Sequence, residues 1–350
     1  MLHTTSTNED RLVRRDDKII LAHGSGGKLT RSLVSETFLK KFTHPALAEL
    51  DDAARVRIGS DRICFTTDSY VVKPLFFPGG DIGTLAVYGT VNDLAVMGAE
   101  PLYISCGFIV EEGLELSLLD RIADSMAEAC RIANVSIVTG DTKVVESGSA
   151  DQLFINTTGV GLLPKGREFG IERIVPGNRV IVSGTIGDHA IAVLAAREDL
   201  GLKLDDLTTD CAPVNGLVRK VIDRFDGVKF MRDPTRGGLA TVLCEIAETG
   251  RFSVHIWDEE IPVHREVKGI CEILGFDPLY LANEGKVVMI VDGKIADEVC
   301  DVLRSDPLGV NAAVIGEIRA DNPGDVVLHT VIGGSRLIKM LAGDQLPRIC

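Results

Sequence analysis

Four aspartates stand where short β-like runs meet turns: Asp68 in TTDSY, Asp93 in VNDLAVMGA, Asp141 in TGDTK and Asp233 in RDPTRGGLA. One aspartate at a turn is ordinarily a cap or an Asx turn. Four in one chain offer the carboxylate oxygens that Mg2+ takes when it sits against substrate phosphates. The stretch GSGGK (24–28) is a donor-rich loop opening a helical segment, suited to cradling a phosphate. It lacks the spacing of a Walker A loop and of the dinucleotide G-x-G-x-x-G. Lys143 follows Asp141 by two positions, so on a strand the two share a face. Such a pair either clamps a phosphate or is a surface ion pair worth under ~1 kcal/mol. Glu284, in ANEGKVV, stands at a turn before an apolar run, and His189, in GDHAIA, reads as a helix-start residue. The chain stops at GDQLPRIC, with a thiol on its last residue, Cys350. That position lies outside any periodic element, and prenylation is excluded because it needs a cysteine four from the end.

The elements that must position these groups fit a chain of 350 residues, 45% hydrophobic and 25% charged, long enough for two domains. A net charge of −14 argues against general affinity for nucleic acid or anionic membrane. No run approaches the ~20 apolar residues of a membrane span, and MLHTTSTNEDRLVRRDDK lacks an apolar signal region. The eight cysteines are scattered without a C-x-x-C pair, which predicts a cytoplasmic, reducing setting without structural zinc.

Residues 1–17 read as a polar, disordered leader. Helical spacing follows at Leu29, Leu33, Phe38 and Phe42, and strand-like runs occupy 54–76. The small-residue segment IGTLAVYGTVNDLAVMG suits a closely packed helix, LYISCGFIV a buried strand, and 116–133 an amphipathic helix through Ile122, Met126 and Cys130. VSIVTGDTKVV and LFINTTGVGLL read as strands. LPKGREFGIERIVPGN (163–178), with two prolines and three glycines, marks a boundary. Beyond it, strand RVIVSG, helices at GDHAIAVLAARED, LVRKVIDRF and TRGGLATVLCEIAETG, and strands SVHIW, EGKVVMIV and AAVIGEIR give an α/β or α+β class with mixed sheets. VNDLAVMGA and RDPTRGGLA echo each other loosely, as in a distant duplication.

TTDSYVVKPLFFPGGDIGTLAVYGTVNDLAVMGAEP, VTGDTKVV, DPTRGGLATVLCEIA and the terminal PRIC together resemble the HypE family of carbamoyl dehydratases of hydrogenase maturation, from about residue 18 to 350. The first motifs are shared across the ATP-using superfamily of aminoimidazole ribonucleotide synthetase, selenophosphate synthetase and thiamine monophosphate kinase; the PRIC ending narrows the likeness. The resemblance implies a two-domain fold: an ATP-binding domain over 18–165, an α/β domain over 175–334, and a mobile tail over 335–350. It also implies a homodimer whose N-terminal domains share a β-barrel. By the same likeness Asp68, Asp93 and Asp233 hold Mg2+, while Asn92, Asp141 and Lys143 line the phosphate end of ATP. Gly24, Gly26 and Gly27 close over the nucleotide, and Cys350, Lys143 and Glu284 are catalytic. The implied partners are the carbamoyltransferase HypF and the HypC–HypD iron scaffold. A selenophosphate synthetase would need Cys or selenocysteine in the glycine loop, where this chain has AHGSGGK. A thiamine monophosphate kinase has no use for a terminal thiol. A nucleotide-binding scaffold without catalysis is the alternative of another class.

Overall fold

A computed structural model describes residues 19–24, 27–41, 44–59, 61–197, 207–341, 343, 345–346 and 348–350. The expected leader, together with Gly26 and Phe42, lies outside the described residues.

The first sheet has five strands: β1 (Ala54–Ile58), β2 (Asp61–Tyr70), β3 (Glu100–Glu111), β4 (Ser136–Val145) and β5 (Leu153–Leu162), in the spatial order β1-β2-β5-β3-β4. Period-two alternation turns Cys64, Thr66 and Tyr70 of β2 inward and leaves Phe65 and Thr67 outside. Helix α1 (Ile82–Val96) packs on β2 and β5 and is buried on nearly all its surface. Its small residues permit that close approach, and Asp81 caps it by accepting from the Gly83 and Thr84 N–H groups at 2.7 and 2.9 Å. Helix α2 (Leu116–Ala133) buries one stripe, Ile122, Met126, Ala129, Cys130 and Ala133, as its spacing predicts, and ends on the left-handed Asn134.

The second sheet has seven strands. They are β6 (Arg179–Val182), β7 (Val228–Arg232), β8 (Ser253–Trp257), β9 (Val288–Val291), β10 (Ala313–Arg319), β11 (Val326–His329) and β12 (Ser335–Ile338), in the order β12-β11-β8-β10-β6-β9-β7. Only the β8–β11 pair is parallel. Helices α3 (Asp188–Ala195) and α6 (Arg265–Leu274) pack into the core shared with α1 and α2, while α4 (Asn215–Ile222) and α7 (Ala296–Arg304) cover one face of this sheet and α5 (Gly238–Gly250) the other. Both faces of β9 are buried, which explains the unbroken apolar run VMIV.

Two details differ from the sequence expectation. Residues 335–338, expected within the mobile tail, instead form β12 in register with β11, with Ile338 buried. LYISCGFIV is only half-buried: Tyr103 and Ile109 of β3 face outward.

Two buried amides join the layers. Asn92 on α1 donates to the Ala212 and Glu284 carbonyls at 3.0 and 3.1 Å and accepts from Val214 N at 2.8 Å. Asn283 donates to the Pro234 and Leu281 carbonyls and accepts from Gly187 N at 2.7 Å. Replacing either strands buried backbone groups without partners. Asn92→Ala is expected to lower stability by about 2–4 kcal/mol in urea unfolding.

Candidate active site

The elements converge on a cleft of about 190 Å3 between the two sheets, and Asp52, Asp68, Asp93, Asp233, Glu284 and Cys350 all line it. Asp68 lies on β2, Asp93 in the last turn of α1, Asp233 immediately after β7, and Glu284 in the turn before β9. The two echoing segments of the sequence thus deliver their aspartates to one place. Thr66 donates to Asp93 Oδ2 at 2.7 Å, and the Tyr70 hydroxyl reaches Asp68 Oδ2 at 3.4 Å. Gly89 makes the second contact possible: a Cβ there would stand 2.3 Å from the Tyr70 oxygen.

Crowding of carboxylates in a desolvated cleft sets the electrostatics. Burial, then the charges of Asp68 and Asp233, pushes Asp93 well above the usual carboxylate range. Burial, then Asp52 and Asp68, does the same to Asp233. Glu284, only 3% exposed, is raised by burial and then by Asp233 and Asp210, and its Oε1 has no hydrogen-bond partner. Its backbone is fixed at both ends, its carbonyl by Asn92 and its N–H by Asp210 Oδ1 at 3.1 Å. Asp210 in turn faces Lys286 at 3.3 Å. Behind the cleft Arg232 binds Asp52 Oδ2 at 3.1 Å and Glu245 Oε2 at 2.8 Å, yet burial still carries Asp52 up to about 6. Arg236 is exposed at the mouth, donates to the Gly24 carbonyl at 3.4 Å, and is held charged chiefly by Cys350.

The thiol reaches this cleft because the last three residues are seated. Val71 N donates to a backbone carboxylate oxygen of Cys350 and Lys73 N to the Arg348 carbonyl, each at 3.3 Å, a short antiparallel step continuing β2. Arg348 donates through Nε to Val71 O at 3.1 Å and pairs with Asp151. Arg197 bridges the Lys73 and Arg348 carbonyls at 3.1 and 3.0 Å. Ile349 is 4% exposed in the core, and Cys350 is half-buried.

Other predicted residues lie elsewhere. Asp141 and Lys143 stand on the edge strand β4, some 70% exposed and paired with each other at 2.8 Å. Asp141 stands opposite Gly107, and the β3–β5–β2 register leads on to Ser69, so three strand spacings, roughly 14 Å, separate it from the cleft. The Asn92 amide is spent on backbone groups. Gly24 is exposed and Gly27 buried, neither among the cleft lining. Asp52, Tyr70, Asp210 and Arg236 were missed; Tyr70 stands within TTDSY and Arg236 within RDPTRGGLA, whereas Asp52 and Asp210 lie in no motif.

Residues 50–163 match the AIR synthase related protein, N-terminal domain, and residues 175–329 its C-terminal domain. These two matches define the class, a two-domain α/β fold of the AIR synthase kind. The chain is 49% identical over 339 residues to the carbamoyl dehydratase HypE of Rhodobacter capsulatus, covering 96% of this chain and 99% of that protein. Among solved structures, a HypE–HypF complex gives TM-score 0.83 at 45% identity, covering 89% of this chain and 100% of the other. HypE in complex with ATP gives 0.80 at 46% identity, covering 95% and 100%. The chain belongs to the HypE family of carbamoyl dehydratases.

A carboxylate whose pKa is higher folded than unfolded costs stability as pH rises toward neutral. Asp233→Asn is therefore expected to stabilise the ligand-free protein at pH 7 by on the order of 1 kcal/mol, about 2 °C in Tm. A lowered Tm would contradict the mutual repulsion described here.

Proposed function

We infer that this chain is an ATP-dependent carbamoyl dehydratase that carries its substrate on its own last residue. The observation that carries the reading is the placement of Cys350 in the same cleft as Glu284 and the three aspartates. The carbamoyl group on sulfur, S–C(=O)–NH2, loses its oxygen and both N–H protons to become S–C≡N. Amide oxygen is a poor leaving group, so transfer of the γ-phosphoryl of ATP to it allows departure as phosphate. The products are thiocyanate on Cys350, ADP and phosphate, and the cyanide supplies the iron ligands of the maturing hydrogenase.

Each role for a residue follows from its surroundings. Glu284, desolvated and with a free carboxylate oxygen, is placed to take the N–H protons. Asp68, Asp93 and Asp233 present hard oxygen donors of the type Mg2+ prefers. Among the described residues no group of three side chains is arranged as a ready metal site. When bound, Mg2+ would neutralise phosphate charge and relieve the repulsion among these acids. The chain divides on this reading into 18–165 and 175–334, with β12 carrying the second unit on to Ile338 before the tail.

The homodimer of the sequence reading is supported by β4, an edge strand that exposes Ile137, Val138 and Val144. Pairing of two such edges would close a barrel and surround Asp141 and Lys143 with a second copy, where they could meet the nucleotide's phosphates. HypF and the HypC–HypD complex are the partners this chemistry requires, as carbamoyl donor and cyanide acceptor.

The test weighs the C-terminal peptide after incubation with ATP, carbamoyl phosphate and the carbamoyltransferase. The wild type should show a carbamoylated Cys350 that then loses the mass of one water. Glu284→Gln should accumulate the carbamoylated form, with dehydration slowed at least ~100-fold and ATP binding retained. Loss of ATP binding in that variant would assign Glu284 to the nucleotide instead, and absence of the dehydrated species in the wild type would favour the scaffold.

A further inference from the structure

His189 is wholly buried at the start of α3, and its ring meets Phe77 edge to face at 5.5 Å. Both ring nitrogens are engaged. Nε2 lies 3.0 Å from the carbonyl of Ile349, which can only accept, so Nε2 carries the proton. Nδ1 of the neutral ring is then the acceptor, and Thr209 Oγ1 donates to it at 2.7 Å. That hydroxyl in turn accepts from Cys211 N at 3.0 Å. Thr209 N is tied to the Pro78 carbonyl at 2.8 Å, so the threonine is itself held in place. Between Thr209 and Cys211 stands Asp210, whose carboxylate fixes the N–H of Glu284. A single hydrogen-bonded path therefore runs from the residue before the thiol to the turn that presents the base.

We infer that His189 is the positioning residue of the terminal thiol, a latch that, with Thr209 fixing its tautomer, seats Cys350 and ties that seating to the segment bearing Asp210 and Glu284. The inference rests on the reading of Cys350 as the carrier. A sulfur that must leave the cleft to be loaded and unloaded needs a seat that is specific yet readily vacated. The Ile349 carbonyl meets that need: seated, it is removed from water and depends on His189; released, it regains water, and the Ile349 side chain leaves the core with it. The antiparallel step at Val71 and Lys73, with the Arg348–Asp151 and Arg197 contacts, sets the register of the tail along β2, and His189 fixes the carbonyl that stands between those two backbone bonds. Glutamine can place an N–H near the position of Nε2 and an acceptor toward Thr209, so it should serve in place of histidine.

The test is the rate of iodoacetamide alkylation of each cysteine in the full-length protein, resolved by peptide mass. It compares wild type with His189→Gln, His189→Ala and Thr209→Val. Cys350 should react at near the wild-type rate in the glutamine variant. It should react roughly five- to tenfold faster in the alanine and valine variants, the effect of one lost hydrogen bond. Cys106 and Cys271, buried in the same core, should stay as slow as in the wild type. A wild-type Cys350 rate in Thr209→Val overturns the latch, as does a rise at Cys350 matched at Cys106 and Cys271, which would mean general opening of the core. If His189→Ala does not fold, Thr209→Val and His189→Gln decide the matter. Alkylation needs neither carbamoyl donor nor ATP, so failure here leaves the carrier role of Cys350 standing, and failure of the dehydration assay leaves these rates unchanged.

Discussion

The turn from Leu281 to Lys286 is held by two buried amides, and the acid cleft depends on that constraint. Asn283 ties the turn to Pro234 and Gly187, while Asn92 ties it to α1 and the 212–214 segment. Carboxylates repel, and a cleft carrying Asp52, Asp68, Asp93, Asp233 and Glu284 would open if nothing stronger opposed it. The opposition comes from neutral hydrogen bonds in places water does not reach, where an unmade bond is costly. The acids are thereby kept in an arrangement that suits a cationic ligand better than it suits the empty protein. Stability is spent on function in this sense.

Much of the fold was legible in the sequence because it rests on periodicity. The stripe of α2 and the alternation of β2 could be read directly, and the glycine- and proline-rich stretch at 163–178 indeed runs between the two sheets. The strand at 335–338 was not legible, since SRLI is short and three of its four residues are exposed; pairing with β11, not burial, makes it a strand. The helices at 265–274 and 296–304 went unread although their apolar spacing was available.

The site divides along the same line. Asp68, Asp93, Asp233, Glu284 and Cys350 were found by residue type, turn position and motif, and the fold brings them together. Asn92 was expected near phosphate; nothing in VNDLAV reveals that its amide would be consumed by three backbone groups 120 or more residues away. His189 reads as a helix-start residue, which it is, and its contact with Ile349 lies 160 positions along the chain. Such pairings are set by topology, which local sequence does not encode.

The edge strand β12 fastens a leash. From Ile338 to Cys350 the chain runs through twelve residues, which fully stretched span about 40 Å. The Cys350 sulfur is therefore confined to a sphere of about that radius, centred on the outer edge of the seven-stranded sheet.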